Sequence, residues 1–337
     1  PLTPAAIDGC RLIVDALFGA GLARDIEGPL SDVLSAVARS GMPVVAVDIP
    51  SGIDGGTGQV RGTAIKADLT VTFFRRKPGH LLLPGRSHCG HTICADIGIP
   101  QAALAAGELY ICANDPVLWQ HYFQARAPQA HKYDHGHAVV VSGGAYSSGA
   151  ARLAAQAALR AGAGLVTLAS QKAAMPVNAA QLNAIMLTEF EDSLALGRLL
   201  DDRRKTAVCI GPGCGVSGQT RAKVRAVLES GAATVLDADA LTSFEPDPDA
   251  LFKAIAQQPD RPVVLTPHEG EFRRLFKGLD QTSNSKCQRA LAAARMSGAV
   301  IVLKGADTGI AEPGGRMIIN DNAPSRLATA GAGDILA

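Results

Sequence analysis

The sequence predicts an α/β protein of two domains. Its 337 residues, 47% of them hydrophobic, exceed what one core usually gathers, since a domain takes roughly 100 to 200 residues. Continuous apolar runs ending in aspartate alternate with amphipathic stretches, the pattern of parallel strands covered on both faces by helices. From residue 103 to 128 that periodicity fades, so residues 1–105 and 129–337 read as domains and 106–128 as their linker.

In the first domain, residues 12–17 and 44–49 are apolar strands, and PLSDVLSAVARSG between them is the helix of a β-α-β unit. LTVTFF and TICADIGI complete a small open sheet. The linker carries Trp119 and Tyr122 among polar residues. The second series opens at HAVVVSGG and runs through AARLAAQAALRAGAGLVTL, TAVCIG, ATVLDADAL, PVVLTPHEGEF and AVIVLKGADTGIA.

Composition narrows the partners. Lys plus Arg number 32 against 31 for Asp plus Glu, so no basic face or acidic tail points to nucleic acid. No run approaches the roughly 18 apolar residues of a membrane helix and no leader pattern opens the chain, so a cytoplasmic protein without membrane partners is expected. The seven cysteines lack CxxC spacing and read as small core residues of a reduced compartment. The start at Pro1 and the stop just after a glycine loop predict a piece cut through structured elements at both ends.

Four loops of the second domain fall at the carboxyl ends of strands, where an open α/β sheet gathers its ligands. In GPGCGVSG, Gly213, Gly215 and Gly218 spell GxGxxG, with Asp237 about 20 residues on. That fits a dinucleotide fingerprint, a glycine wall that lets a ligand approach the backbone, or a plain turn. In VVLTPHEGEF, His268 and Glu271 stand where a helix capped by Thr266 would begin near Glu269, suited to an anion or metal or simply to capping. VLKGADTGIA delivers Lys304 into a turn where Gly305 admits backbone amides to a phosphate, although a surface turn would look similar. In ATAGAGDILA, Gly331 and Gly333 permit a tight loop whose amides lead into a helix, and Asp334 takes the position of a general base.

These motifs in this order resemble the ADP-dependent NAD(P)H-hydrate dehydratases of the ribokinase-like fold. VDALFGAGLARDIEGP and VDIPSGIDGGTG in the first third resemble the partner activity, an NAD(P)H-hydrate epimerase with a Rossmann-like domain, present here in part. The resemblance implies ADP-dependent dehydration of hydrated NADH or NADPH, in which phosphorylation turns a poor leaving group into a good one. It implies Asp334 as the base and the amides of Gly331, Ala332 and Gly333 as an anion hole. Lys304, Gly305, Ala306, Asp307 and Thr308 would hold the nucleotide, with Gly333 assisting. Ala150, Gly213 and His268 would line the hydrated-nicotinamide pocket, and Glu271 would organise Mg²⁺. In the first domain it implies Asp15 as catalytic residue and potassium ligand, and Ser51 as a second potassium ligand. Gly19, Ala20, Gly21, Leu22, Ala23, Arg24, Asp25 and Asp48 would contact the hydrated dinucleotide.

The chain departs from the family in three places. No NNGGD loop precedes Asp15, HKYDHGH stands for HKGDFGH with Tyr133 and His135 substituted, and Ala332 replaces the usual Ser, Gly or Thr. The missing loop puts epimerase activity of this stretch in question. His131, His135 and His137 lack a fourth ligand for zinc. A ribokinase-like kinase of a small hydroxylated substrate and a non-catalytic nucleotide-binding protein remain as alternatives, and self-association is left open.

Overall fold

The computed structural model describes residues 3–104, 110–123 and 129–337. Two sheets organise the chain. The first holds β1 (Ile13–Asp15), β2 (Val44–Val47), β3 (Leu69–Phe73) and β4 (His91–Ala95), all parallel and in that spatial order. Its crossover helix, Pro29–Ser40, starts with proline in the first turn and closes on Gly41 at φ 65°, a left-handed position that favours glycine. Val33, Leu34 and Val37 on one face of that helix are buried over the sheet.

The second sheet has ten strands: β5 (Tyr110–Ala113), β6 (His137–Val141), β7 (Leu165–Ser170), β8 (Met186–Glu189), β9 (Ala207–Ile210), β10 (Ala233–Leu236), β11 (Val263–Leu265), β12 (Val300–Leu303), β13 (Thr308–Ala311) and β14 (Arg316–Asn320). Their spatial order is β5-β14-β13-β12-β11-β10-β9-β6-β7-β8. From β12 to β8 every neighbour is parallel, whereas β13 runs antiparallel to both β12 and β14. The chain builds from β6 outward to β8, then returns to the other side of β6 with β9 and continues to β12. The strand order therefore reverses between β6 and β9, the place where open α/β sheets bind ligands. Ala151, Ala154 and Ala155 of the helix Gly149–Ala161 press their small faces onto this region.

The α/β, two-sheet expectation holds, with corrections in detail. Part of the expected linker is structure: Tyr110–Ala113 is the edge strand of the second sheet, parallel to β14. The leucines after β3 also cross the expected boundary, since Leu81 and Leu82 lie in the same buried cluster as Phe190, Phe244, Phe272 and Phe276 of the second domain. Leu83 N–H donates to Asp307 Oδ2 at 2.9 Å, and Arg86 donates to the carbonyls of Asp321 (2.8 Å) and Ala306 (3.1 Å). The cysteines are only partly core: Cys89, Cys209 and Cys287 are buried, while Cys10 and Cys94 are exposed. No helix among the described residues is long and apolar enough to cross a membrane.

Candidate active site

Seven parallel strands of the second sheet, β6 to β12, point their carboxyl ends to one edge, and the loops after β6, β9, β11 and β12 carry most of the predicted residues. After β6 and β9 the loops interlock: Ser147 Oγ donates to the Gly213 carbonyl at 2.8 Å, and a Cβ added at Gly143 would strike that same carbonyl. Gly213 sits at φ 70° and backs onto Ser147, which lies three residues before Ala150 at the start of the following helix. The GxGxxG reading as a dinucleotide fingerprint fails on its acidic member. Asp237 is 2% exposed, accepts from Lys304 Nζ at 2.6 Å and from Thr266 Oγ1 at 2.6 Å, and has no edge to offer a ribose.

Thr266 is thereby spent, and the helix Glu269–Leu275 is capped by His268 instead. His268 Nδ1 accepts from the amides of Gly270 (2.9 Å) and Glu271 (3.2 Å), which fixes its proton on Nε2, and the ring is half exposed toward the strand ends. Glu271 closes the reciprocal half of the cap, its buried carboxylate accepting the His268 N–H at 2.9 Å. Among the described residues no three His, Cys, Asp or Glu gather as a metal centre. One committed carboxylate fits Mg²⁺ only as a companion of nucleotide phosphates, the usual way this ion is held.

Lys304 follows β12 and is bridged by its backbone to His268. Its ammonium lies beside the 331–334 loop, 3.7 Å from where a Cβ at Gly333 would stand. Gly331, at φ 85°, precedes the short helix Ala332–Leu336, which rests on Leu153 of the long alanine-rich helix. Burial and then the charge of Asp237 push the Asp334 carboxyl above its ordinary range, and Lys304 only partly offsets them. Asp334, Lys304 and Asp237 thus share one electrostatic neighbourhood. The remaining nucleotide-loop residues face two ways. Gly305 and Thr308 close a turn on each other, while Asp307 is committed to Lys286 Nζ (2.8 Å) and to the Leu83 amide.

A second cluster occupies the carboxyl ends of β1 to β3. Asp15, 3% exposed, accepts from Ser51 Oγ at 2.6 Å, from Ser51 N–H at 2.7 Å and, more distantly, from the Leu17 amide at 3.4 Å. A buried carboxylate served by neutral donors, with the Phe18 carbonyl near the same hydroxyl, suits a hard monovalent cation. Asp48 adopts φ 69°, uncommon for a residue with a side chain. It accepts from Ala20 N–H (3.1 Å), Thr72 Oγ1 (3.0 Å) and Lys77 Nζ (2.5 Å). Burial raises its carboxyl, but these donors outweigh it and hold it below the ordinary carboxylate range. An open hollow of about 550 Å³ beside it is lined by Phe74, Arg75, Arg76 and Lys77. Of the 19–25 loop, only Gly19 and Ala20 reach Asp48; Ala23, Arg24 and Asp25 are exposed, and the Leu22 side chain is buried in the core under the crossover helix. Leu22 can therefore contact a ligand only through its backbone, because an apolar side chain gains more from that core.

Lys77, Asp237 and Lys286 were not singled out as site residues by sequence reasoning. Lys77 had a visible signal in the run Arg75-Arg76-Lys77 after a strand. Asp237 was visible only as the acid of a fingerprint it does not serve.

The profile described as NAD(P)H-hydrate dehydratase matches residues 138–337, and the profile of the YjeF-related protein N-terminus matches residues 2–79. The chain is similar to the bifunctional NAD(P)H-hydrate repair enzymes of Thermofilum pendens (37% identical over 96% of this chain and 62% of that one) and Coxiella burnetii (34%, 97% and 65%). It spans less than two thirds of the length of these relatives. Among solved structures it resembles the ADP/ATP-dependent NAD(P)H-hydrate dehydratase of Bacillus subtilis co-crystallised with ATP/Mg²⁺, at TM-score 0.53 and 29% identity over 64% of this chain and 74% of that one. A ribokinase-like superfamily protein of Enterococcus faecalis aligns at TM-score 0.56 and 23% identity over 67% and 77%, a likeness of fold.

Proposed function

The chain belongs to the NAD(P)H-hydrate dehydratase family, and from that premise we propose that its second domain returns hydrated NADH or NADPH to the reduced dinucleotide at the expense of ADP. The observation that carries this reading is the meeting of Asp334 with Lys304 beside the glycine loop. The hydrated ring holds a hydroxyl on the carbon next to the ring nitrogen, and hydroxide leaves poorly. Asp334 takes the hydroxyl proton while the oxygen attacks the terminal phosphorus of ADP, releasing AMP. The ring nitrogen lone pair then expels phosphate, which departs with the C–O bond pair, and loss of a proton from the adjacent carbon restores the ring double bond. A carboxyl raised by burial is a stronger base than an exposed one, provided the working pH keeps it ionised. The amides of residues 331–333 and the Lys304 ammonium would meet the phosphoryl charge as it develops. The half-exposed His268 ring would line the nicotinamide side, and Gly213 would let the nicotinamide approach the backbone. Mg²⁺ arriving with the nucleotide would neutralise phosphate charge.

In the first domain, Asp15 and Ser51 would hold K⁺ and, with Asp48, serve exchange of the two hydrate epimers. That exchange needs a proton carrier and control of charge rather than a nucleophile.

Recovery of NADH absorbance from purified hydrate, dependent on ADP and yielding AMP and phosphate in equal amounts, tests the reading. Asp334→Asn is expected to lower turnover about 10²- to 10⁴-fold while ADP binding persists, the range that loss of a general base costs. Absence of that recovery from the wild-type chain, together with ATP-dependent phosphorylation of a sugar or vitamin alcohol, would replace the dehydratase by a small-molecule kinase.

A further inference from the structure

We propose that Asp237 is a positioning residue for the phosphoryl transfer, holding the Lys304 ammonium at one fixed point beside the 331–334 loop; the inference rests on the dehydratase reading above. Three strand ends are tied together by one carboxylate oxygen. Asp237 follows β10, Thr266 follows β11 and Lys304 follows β12, and both Thr266 Oγ1 and Lys304 Nζ donate to Asp237 Oδ1 at 2.6 Å. The carboxylate side chain is 3% exposed and the lysine 18%. Ala238, immediately after it, sits at φ 47° and ψ −116°, a conformation rarely adopted by a residue with a Cβ. Backbone strain beside a desolvated ion pair is a poor way to stabilise a fold, because apolar packing in the same space usually does as well or better. It is an effective way to aim a cation.

Left to itself, a lysine on its four-carbon stem samples many rotamers, and a phosphate would have to gather it at every turnover. Fixed by Asp237, the ammonium already stands against the loop that carries the base. Two carboxylates, Asp237 and Asp334, face this one ammonium, so the cluster carries net negative charge before the nucleotide arrives. Misplacing a group that meets the transition state costs up to about 100-fold in rate. Removing the Asp237 charge leaves more net positive potential for ADP, so ground-state binding does not suffer.

The signature is therefore a split. Asp237→Asn is expected to lower kcat for ADP-dependent dehydration about 10- to 100-fold with the KM for ADP unchanged or lower. Lys304→Met lowers kcat at least as much, and the double variant is no slower than Lys304→Met alone, because Asp237 acts through the lysine. Thr266→Val, which keeps the charge and removes one hydroxyl, lowers kcat only a few-fold and serves if Asp237→Asn does not fold. ¹⁵N NMR of the lysine ammonium groups gives a readout without turnover. One protected signal, assigned by its loss in Lys304→Met, persists in Thr266→Val and disappears in Asp237→Asn. Wild-type kcat in Asp237→Asn, or additive losses in the double variant, overturns the inference while leaving the dehydratase reading standing. A wild-type chain that does not dehydrate the hydrate, yet loses the protected signal in Asp237→Asn, overturns the reading and supports the anchoring of Lys304.

Discussion

Gly143→Ala would test whether the reversal point of the second sheet is as tightly closed as it looks. The new methyl would stand well inside 3.0 Å of the Gly213 carbonyl, a separation real Cβ atoms essentially never show, with Ser147 Oγ also in the way. The obstacle is backbone, and it is pinned by the 2.8 Å bond from Ser147 Oγ, so it cannot rotate aside as a side-chain tip would. Overpacking of this kind costs about 1–3 kcal/mol, and an obstructing carbonyl belongs at the upper end. For a domain of about 200 residues each kcal/mol lowers the melting temperature by roughly 2–4 °C, so about 3 kcal/mol predicts a fall of roughly 6–12 °C. Gly144→Ala is the control next door: its methyl would find only Ser147 Oγ at 3.9 Å, and it should melt within about 2 °C of wild type. Scanning calorimetry measures the stability, and the dehydration assay reports whether displacing Gly213 also damages the hydrate pocket. If Gly143→Ala and Gly144→Ala melt alike and turn over alike, the two loops are not packed as described and the wall role of Gly213 loses its support.

The first domain offers two further tests. Asp48 is held below the ordinary carboxylate range in the folded state, so it stabilises the fold above its unfolded pKa and that contribution is lost as pH falls through the folded value; Lys77→Met should move this loss to higher pH, seen as earlier acid unfolding in a pH series of urea melts. Replacing K⁺ with choline should lower the melting temperature of the wild type but not of Asp15→Asn, with saturating ion worth about 2.7 kcal/mol at a hundred times its Kd; equal melting of the wild type in both salts would remove Asp15 and Ser51 as a cation site.

Much of this arrangement was legible because local pattern and global fold agree. The strands before Asp15, Gly211, Asp237, Thr266 and Lys304 are short apolar runs, and each ends on a polar or glycine residue where a parallel sheet exposes its carboxyl edge. What escaped depended on partners distant in sequence. YICA is four residues with no helix to follow it, and only β14, some two hundred residues later, makes it a strand. Thr266 looked like a helix cap because nothing in TPHEGEF reveals a buried carboxylate 29 positions earlier that takes its hydroxyl. His268 is an uncommon cap, so its role emerged only once Thr266 was occupied. Leu22 sits in a loop by its neighbours' glycines but is drawn inward by the apolar face of the crossover helix.

The grip of Leu83 and Arg86 on the 306–307 turn bears on how such a protein can be taken apart. A cut made in the interdomain stretch, where the periodicity fades, would separate the sheets in sequence but not in space. Leu81 and Leu82 would be pulled from a core they do not formally belong to, and Asp307 would lose the amide that helps hold it. Modules exchanged between relatives would therefore travel well only if residues 81–86 went with the second half, so that the unit of inheritance is the seam and not the strand count.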